Sequence, residues 1–567
     1  MFASAIRCLA LTVAALLGLG ASHCFAASPT QGQCEQLATH MTGRWPDPST
    51  RVTSLQFFAE SQPAELSTPG APPLEVVLPA HCEVFGVLHE RKGADGQLYA
   101  IHFHLRLPGV WNKRFYFQGG AGTNGEVGDA LGALAGAVPA LIRGYAVVSQ
   151  DSGHDNRVNF DANKGGRTSF GFDARARADY GHASLQPVSA AAKALVHAYY
   201  GVPPEYSYFV GCSKGGEEAM AAAQRLPLEF NGILAAAPGF SLPRAAIAEA
   251  WDVQSLASVA AVPLAHTFSD ADLALVSRAV LAACDADDGL ADGIVGAFQQ
   301  CSTEKVKEKL NAVACAYEKT SKCLSSSQIA ALERVYAGPR DAKGRALYSE
   351  WPWDAGISGF GWRLWKLGSA DGSIDAMNVT TGGASLASVF TTPPTALPDN
   401  PGAQLKFAQQ FDFDRDAPKI YARTAAFTHS AWDDISARSS DLSGFRARGG
   451  KLLVPHGVSD PVFSINDTLA WYRDLDRRTG GKADTFARVF PVPGMNHCGG
   501  GPATDHFDAF ASLVGWVEHQ QPPDRIIARA GTHTPWPDRE RPLCPYPKVA
   551  RYKGSGNIER ADSFDCR

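Results

Sequence analysis

The chain has 567 residues, of which 45% are apolar, enough to bury one large hydrophobic core or two medium ones. Its 52 basic and 57 acidic residues leave a net charge of −5, which excludes the basic surface that nucleic acid binding requires. We therefore expect an ordinary globular protein, a monomer, whose partner is a small molecule.

The first residues of the chain are typical of an export signal. Arg7 provides a positive charge, an apolar stretch follows over residues 9–19, and small residues suit cleavage after Ala26. The apolar stretch is short for a membrane anchor, and the residues before Cys24 fit a lipoprotein signal poorly. Residues 1–26 are therefore predicted to be a signal peptide of a secreted or periplasmic protein. No later stretch is apolar enough to predict a transmembrane helix.

Removal of the signal would leave ten cysteines, an even number that favours five disulfides in an oxidising compartment. Free buried thiols are the weaker alternative, and the lack of C-x-x-C spacing argues against zinc. Spacing alone leaves the pairing open. Pairing of sequence neighbours would join Cys34 with Cys82, Cys284 with Cys301, Cys315 with Cys323, and Cys544 with Cys566. Cys212 and Cys498 would then remain as the fifth pair.

The first part of the mature chain alternates between strand-like and helix-like segments. Strands are predicted over 99–107, 114–118, 145–149, 206–210 and 232–236, and helices over 188–200 and 217–225. Strands that alternate with helices indicate an α/β fold, with a mainly parallel sheet covered by helices on both faces.

Ser213 lies in the pattern G-x-S-x-G, between a predicted strand and a predicted helix. A serine hydroxyl needs an adjacent base to become a nucleophile, and this strand–turn–helix context exposes the serine at the carboxyl end of the sheet. The backbone N–H of Lys214 is the first expected donor to an oxyanion. The glycine-rich loop 119–125 follows an early strand and is predicted to supply the second donor; a tight turn without a catalytic part is the alternative.

From about residue 240 to about residue 438 the pattern changes to helices and long loops, which predicts an insertion of domain size. One loop of this insertion, between Cys284 and Cys301, is rich in aspartate. Carboxylates crowded in one loop repel each other unless a cation neutralises them, and Ca²⁺ prefers oxygen ligands. The predicted donors are the carboxylates of Asp285, Asp288 and Asp292 and the backbone carbonyls of Leu290 and Ile294. The ion would be structural, and a solvated acidic loop is the alternative.

Strand–helix alternation returns with predicted strands over 451–455 and 487–491. Asp460 follows the first of these strands and His497 follows the second, which completes the order Ser, Asp, His. Taken singly, Asp460 could be a turn or cap residue and His497 a surface histidine. Taken together, the three residues predict a catalytic triad, and a Cys212–Cys498 disulfide would bring Ser213 and His497 together.

These motifs resemble those of the tannase and feruloyl esterase family of α/β-hydrolases, whose triad has bonded cysteines beside its serine and histidine. The resemblance covers nearly the whole mature chain and is strongest to a bacterial member that cleaves a terephthalate monoester. The matching motifs are GGAGTNG at 119–125, GHDN at 153–156, GCSKGG at 211–216, CDADDGLADGIV at 284–295, VPGMNHC at 492–498, and RPLCPYP and ARYKGSG in the tail.

The resemblance implies an α/β-hydrolase fold that is interrupted by a large lid domain. The implied parts are a first hydrolase segment over 27–239, a lid with a calcium site over 240–438, and a second hydrolase segment with a disulfide-stapled tail over 439–567. It also implies the five disulfides suggested above and the calcium donors already named. By position, Gly122 and Lys214 would provide the oxyanion donors.

The pocket that the resemblance implies differs from that of the terephthalate monoesterase. Trp365 would pack on the ring of the substrate and His456 would line the pocket. In the relative, a lid arginine binds a free carboxylate on that ring, whereas here Asn378 is nearest that position and a phenylalanine is replaced by glycine near Gly382. Loss of a charged bidentate contact predicts weak or absent activity on a terephthalate monoester.

The sequence therefore predicts an exported serine esterase that acts on esters of aromatic acids: feruloyl, galloyl, hydroxybenzoyl or terephthaloyl-like. Ser213 would attack the ester, His497 would transfer the proton, and Asp460 would orient His497. A true terephthalate monoesterase, a serine peptidase and an acyltransferase are rival enzymes. A calcium-stabilised binding protein on an inactive hydrolase scaffold is the rival from another class.

Overall fold

The computed structural model describes residues 30–66, 74–134 and 137–567, so the predicted signal peptide lies outside the described residues. The described strands are β1 (Arg51–Phe58), β2 (Ala64–Leu66), β3 (Leu74–Val76), β4 (His81–Lys92), β5 (Leu98–Pro108), β6 (Arg114–Gln118), β7 (Ala146–Gln150), β8 (Tyr206–Cys212), β9 (Gly232–Ala236), β10 (Lys451–Gly457), β11 (Ala487–Val492), β12 (Ile526–Arg529), β13 (Glu540–Leu543), β14 (Ala550–Tyr552) and β15 (Phe564–Cys566).

The described α-helices are α1 (Gln31–Met41), α2 (Ala174–Ala178), α3 (Leu185–Tyr200), α4 (Lys214–Arg225), α5 (Leu242–Ala257), α6 (Asp270–Cys284), α7 (Thr303–Ala312), α8 (Ser326–Ala337), α9 (Phe360–Lys366), α10 (Ala384–Ser388), α11 (Pro401–Gln410), α12 (Ala431–Ile435), α13 (Ser443–Ala447), α14 (Ile465–Arg478) and α15 (Ala509–His519). Short π-helical turns cover Asp179–Ala183 and Asn378–Gly383. No helix among the described residues combines the length and the apolarity that crossing a bilayer requires.

Nine strands form one central sheet in the order β1-β4-β5-β7-β6-β8-β9-β10-β11. The first three strands pair antiparallel with one another, and β5 also pairs antiparallel with β7. The six strands from β7 to β11 are parallel to one another. Side chains alternate between the faces of the sheet: in β6, Phe115 and Phe117 pack in one buried cluster and Tyr116 in the other. Both faces are therefore covered, as expected for an α/β protein.

The predicted strands of the hydrolase part are all present, with bounds that differ by one or two residues. The strand predicted over 232–236 is β9, and the strand before Ser213 extends to Cys212. The antiparallel strands β1 and β4 were not predicted, because their pairing joins residues far apart in sequence, such as Arg51 with Val87. The fold is thus of the α/β-hydrolase type, with an antiparallel extension at one edge.

The sheet is interrupted between β9 and β10 by a long helical segment. Described residues 237–450 contain helices and irregular loops but contribute no strand to the sheet. This segment begins at the carboxyl end of β9, the edge where ligands of open α/β sheets bind, and it ends at the amino end of the parallel strand β10. It therefore supplies much of the wall around the position of Ser213.

All five disulfides that were expected are present in the structure. They join Cys34 with Cys82, Cys212 with Cys498, Cys284 with Cys301, Cys315 with Cys323, and Cys544 with Cys566. Four of them connect residues at most 48 positions apart, whereas Cys212 and Cys498 are separated by 286. The long-range bond therefore connects the two halves of the hydrolase part.

Candidate active site

Ser213 occupies the sharp turn between β8 and α4. Its backbone has φ 64° and ψ −120°, a strained conformation that a nucleophile elbow requires. The turn is held by neighbouring backbone groups: the N–H of Ser213 donates to Ala236 at 3.1 Å, and its carbonyl accepts from Gly239 at 3.1 Å. The side chain is thereby presented at the carboxyl edge of the sheet.

His497 and Asp460 form a hydrogen-bonded pair. Nδ1 of His497 donates to Oδ2 of Asp460 at 2.8 Å, while Oδ1 of Asp460 accepts from the backbone N–H groups of Val462 and Phe463. Burial alone would raise the pKa of Asp460, but His497 and His456 beside it hold that pKa well below its usual range. Nε2 of His497 is buried and has no hydrogen-bond partner among the described groups, so this atom is free to accept a proton.

The Cys212–Cys498 disulfide joins the residue before Ser213 to the residue after His497. The Cα atoms of the two cysteines are 6.1 Å apart. The nucleophile turn and the histidine loop are therefore held together by a covalent bond as well as by the sheet.

Loss of this disulfide is expected to reduce activity by about 100-fold, because a shift of about 1 Å in a reacting group has that cost. The double variant Cys212→Ser/Cys498→Ser should keep its far-ultraviolet circular dichroism at 20 °C while kcat for an aryl ester falls. The matched control is Cys315→Ser/Cys323→Ser, which opens a loop with a sequence separation of only 8 and should keep near wild-type kcat. Equal kcat in both double variants would contradict this prediction.

Ser213 lines a cavity between the sheet and the helical segment. The space inside the cavity that protein atoms leave empty is about 440 Å³, part of which is open to solvent. Its lining residues are Gly122, Thr123, Tyr180, Ser213, Lys214, Leu242, Ala245, Ala246, Glu249, Trp365, Thr381, Gly382, Ser385, Phe390, Val462 and Phe463. The lining is mostly apolar and aromatic, with few polar groups, as expected for a site that binds an apolar acyl group.

Two backbone N–H groups in the cavity wall are available to an oxyanion. Gly122 has φ 54°, which glycine adopts without strain, and Lys214 is the first residue of α4. No described group accepts a hydrogen bond from the N–H of either residue. The pair suits the stabilisation of a tetrahedral oxyanion beside Ser213, and the N-terminal end of α4 adds a favourable dipole.

The glycine-rich loop is attached to α4 by Glu218. One carboxylate oxygen of Glu218 accepts from the N–H of Gly120 at 2.8 Å, and the other accepts from Asn124 at 3.0 Å and Ser152 at 2.9 Å. The loop also lies against the helix so closely that a Cβ on Gly215 would be 2.7 Å from the carbonyl oxygen of Gly120. The position of Gly122 relative to Ser213 is therefore set by a buried carboxylate and a glycine contact.

The three residues that were predicted to bind the substrate lie in different places in the structure. Trp365 lines the cavity, and its ring meets the ring of His497 edge-on with centroids 5.8 Å apart. His456 is fully buried behind the triad and bonds to Thr468 and to the carbonyl of Phe463, because its end of β10 faces α14. Asn378 is also fully buried and outside the cavity lining, and its amide donates to Asp252.

Several cavity residues were not found by sequence reasoning. Tyr180 and Phe463 come from a π turn and a loop without a motif, and the ring of Phe463 lies 5.2 Å from that of His497. Glu249 is the only charged residue in the otherwise apolar stretch 245–251 of α5, and this isolation is the signal that could have identified it. Glu249 contacts residues that are far from it in sequence, and a local sequence pattern does not predict such contacts.

The aspartate-rich loop contributes no residue to the lining of the cavity that contains Ser213. Burial, together with the charges of Asp292 and Asp285, raises the pKa of Asp288 to about 7, as expected for crowded carboxylates. Asp285 accepts from the N–H groups of Asp292 and Gly293, and Asp292 pairs with Arg541 of the tail. Within the described ranges no three His, Cys, Asp or Glu side chains converge as a metal cage. The oxygen donors suit calcium by type, although Arg541 already supplies one positive charge.

Residues 82–567 match the family described as tannase and feruloyl esterase. The chain belongs to this family. It is 44% identical over 548 residues to mono(2-hydroxyethyl) terephthalate hydrolase of Piscinibacter sakaiensis, covering 92% of this chain and 89% of that protein. It is 29% identical over 479 residues to a probable feruloyl esterase of Arthroderma benhamiae, covering 82% and 81% of the two chains.

The solved structures support the same fold. Feruloyl esterase B of Aspergillus oryzae superposes with a TM-score of 0.74 at 21% identity, covering 95% of this chain and 100% of that one. This tannase and feruloyl esterase family member is a carboxylic ester hydrolase of the α/β-hydrolase type.

Proposed function

We propose that the protein hydrolyses esters of aromatic acids through Ser213, His497 and Asp460. Ser213 attacks the ester carbonyl as His497 takes the hydroxyl proton; His497 then gives the proton to the leaving alcohol. Water hydrolyses the acyl-enzyme with His497 again as the base, while Asp460 keeps Nδ1 protonated. The observation that carries the proposal is the free Nε2 of His497, fixed by Asp460 and by the disulfide that adjoins Ser213.

The acyl group is proposed to be a single aromatic ring or a short extension of one. The cavity wall near Ser213 carries Trp365 and Phe463, which suit stacking on a ring, and relatives are named as hydrolases of feruloyl and terephthalate esters. The chain carries no arginine near Asn378 to pair with a ring carboxylate. We therefore propose weak or absent hydrolysis of the terephthalate monoester.

The proposal is tested with methyl ferulate, methyl gallate, methyl 4-hydroxybenzoate and mono(2-hydroxyethyl) terephthalate, together with a fluorophosphonate that labels active serines. We expect hydrolysis of at least one phenolic ester, slower turnover of the terephthalate monoester, and one label at Ser213 by peptide mass mapping. Robust turnover of the terephthalate monoester would overturn the specificity. No hydrolysis and no label would support the rival of a binding protein on an inactive scaffold.

We also propose that the loop between Cys284 and Cys301 binds a structural calcium ion. The ion would be held by the carboxylates of Asp285, Asp288 and Asp292 and by the carbonyls of Leu290 and Ile294. Its charge would offset the repulsion among the three carboxylates. Removal of calcium with EGTA should lower the melting temperature by about 3 °C while kcat changes little.

Two variants control the calcium experiment. Asp288→Asn should be insensitive to EGTA, whereas Asp287→Asn, at an aspartate that pairs with Lys305, should respond like the wild type. An unchanged melting temperature of the wild type in EGTA would contradict the calcium proposal.

Export is proposed from residues 1–26 and is supported by the five disulfides, which persist in oxidising compartments. The mature protein is proposed to be secreted or periplasmic and monomeric. The segment 240–438 is proposed to act as the lid, since it contributes Trp365 and Gly382 to the cavity wall.

A further inference from the structure

Glu249 brings an unpartnered carboxyl group to the same cavity as Ser213. The residue lies on α5, lines the cavity and is only 6% exposed. Throughout the described part of the chain, no group forms a hydrogen bond or an ion pair with its carboxyl. Buried polar groups are nearly always satisfied, so a carboxyl that faces a cavity without a partner indicates that a ligand supplies one.

Burial, together with the charge of Asp252, favours the protonated form of Glu249 at pH 7. Lys366 of α9, the cation whose charge acts on Glu249, is 1% exposed and is already paired with the buried Asp252, one helical turn from Glu249 on α5. Burial raises the pKa of Glu249 to about 8 and that of Asp252 to about 6, against the opposing effect of Lys366. Tyr180 faces the same cavity and is neutral, because burial raises its pKa well above its usual value. Asp252 therefore carries the charge that Lys366 balances, and Glu249 keeps its proton.

Gly382 makes room for this carboxyl. It lies in the π turn Asn378–Gly383, in the cavity wall opposite α5. A Cβ at this position would be 1.7 Å from Oε2 of Glu249, far inside any allowed contact. The orientation of Glu249 into the cavity therefore depends on the absence of a side chain at residue 382.

We propose that Glu249 recognises a hydroxyl group on the ring of the acyl group, and that Gly382 permits it to do so. A protonated carboxyl donates one hydrogen bond and accepts others, which matches a phenolic hydroxyl that also donates and accepts. A ring carboxylate would be buried without a free cation, because Lys366 is paired with Asp252, and Lys214, which also lines the cavity, is paired with Glu217 and Glu218. This inference rests on the proposed esterase activity and specifies its substrate: an ester of a hydroxylated aromatic acid.

The test compares methyl 4-hydroxybenzoate with methyl benzoate, which lacks the hydroxyl. In Glu249→Leu, kcat/KM for the hydroxylated ester should fall about tenfold, since the hydroxyl loses its partner, while kcat/KM for methyl benzoate should stay within about threefold. Glu249→Gln, which keeps a donor and an acceptor, should retain most of the preference. Ser385→Ala, at another polar residue of the cavity wall, is the matched control and should change both esters alike.

A stability measurement accompanies the kinetic test and does not depend on activity. The pKa of Glu249 in the folded protein is about 8, above its ordinary value of 4.5. The stability that comes from the neutral Glu249 carboxyl is therefore fully present below about pH 4.5 and is lost as the pH rises to about 8. The melting temperature of Glu249→Gln should therefore rise relative to wild type between pH 5 and pH 9.

The outcomes separate this inference from the proposed function. An unchanged ratio of the two kcat/KM values in Glu249→Leu would overturn the role of Glu249 while leaving the esterase intact. If the wild type hydrolyses neither ester, the proposed function fails. The role of Glu249 is then tested by calorimetric titration of Ser213→Ala with 4-hydroxybenzoate and with benzoate. Tighter binding of 4-hydroxybenzoate than of benzoate, lost in Ser213→Ala/Glu249→Leu, would support it; equal binding would overturn it.

Discussion

Ser213→Ala is expected to lower kcat for an aryl ester by about 10⁵-fold or more, because removal of a triad serine eliminates the covalent route. The oxyanion donors at Gly122 and Lys214 remain in this variant, so a small residual rate above water should persist. KM should change little, since the rest of the cavity wall is intact. The measurement is steady-state kinetics on methyl ferulate or methyl 4-hydroxybenzoate, with enzyme purified separately from any wild-type preparation.

Ser385→Ala is the control for this experiment. Ser385 also lines the cavity, but no described residue forms a hydrogen bond with its hydroxyl. Its removal should leave kcat within a few-fold of wild type. Comparable losses in the two alanine variants would indicate that the cavity, rather than Ser213, determines the rate.

Asp460→Asn is expected to lower kcat by about 10⁴-fold, the cost seen when a triad histidine is held in the wrong tautomer. The amide oxygen of the substituted side chain can still accept from the N–H groups of Val462 and Phe463, so the loop should keep its shape. The amide nitrogen would then face Nδ1 of His497 and favour a proton on Nε2. A histidine with that proton cannot take another from Ser213.

The measurement for Asp460→Asn is the rate of labelling of Ser213 by a fluorophosphonate, compared with kcat for the ester. Both rates should fall, while the melting temperature and KM should stay near their wild-type values. A variant that retains more than a tenth of wild-type kcat would show that Asp460 does not orient the base.

Local patterns predicted the strands and turns around Ser213, Asp460 and His497 well, because each element there is short and contiguous. The segment from β8 through Ser213 to α4 combines a buried strand, a glycine turn and a helix former, and all three signals agree. Asp460 and His497 were predicted from their positions after strands, and the structure brings them within hydrogen-bond distance.

Predictions that required tertiary contacts were less successful. His456 lies in β10, the strand that Asp460 follows, but its side chain points into the protein toward Thr468 rather than into the cavity. The contact between Glu249 and Gly382 joins a helix to a turn 133 positions later, so neither residue has a local signal that names the other. The part of the cavity wall that the helical segment forms therefore depends on contacts between residues far apart in sequence. Sequence periodicity does not predict such contacts.

The covalent bond between Cys212 and Cys498 encloses the entire helical segment, since residues 237–450 lie inside the ring of chain that it closes. A protease that cuts this segment once would open the ring without separating Ser213 from His497, since the two halves would stay joined as a single molecule under non-reducing conditions. Cuts within the segment that shapes the cavity would thus leave Ser213 and His497 on one covalent body. The covalent link between the turn of Ser213 and the loop of His497 is in this way independent of the continuity of the helical segment.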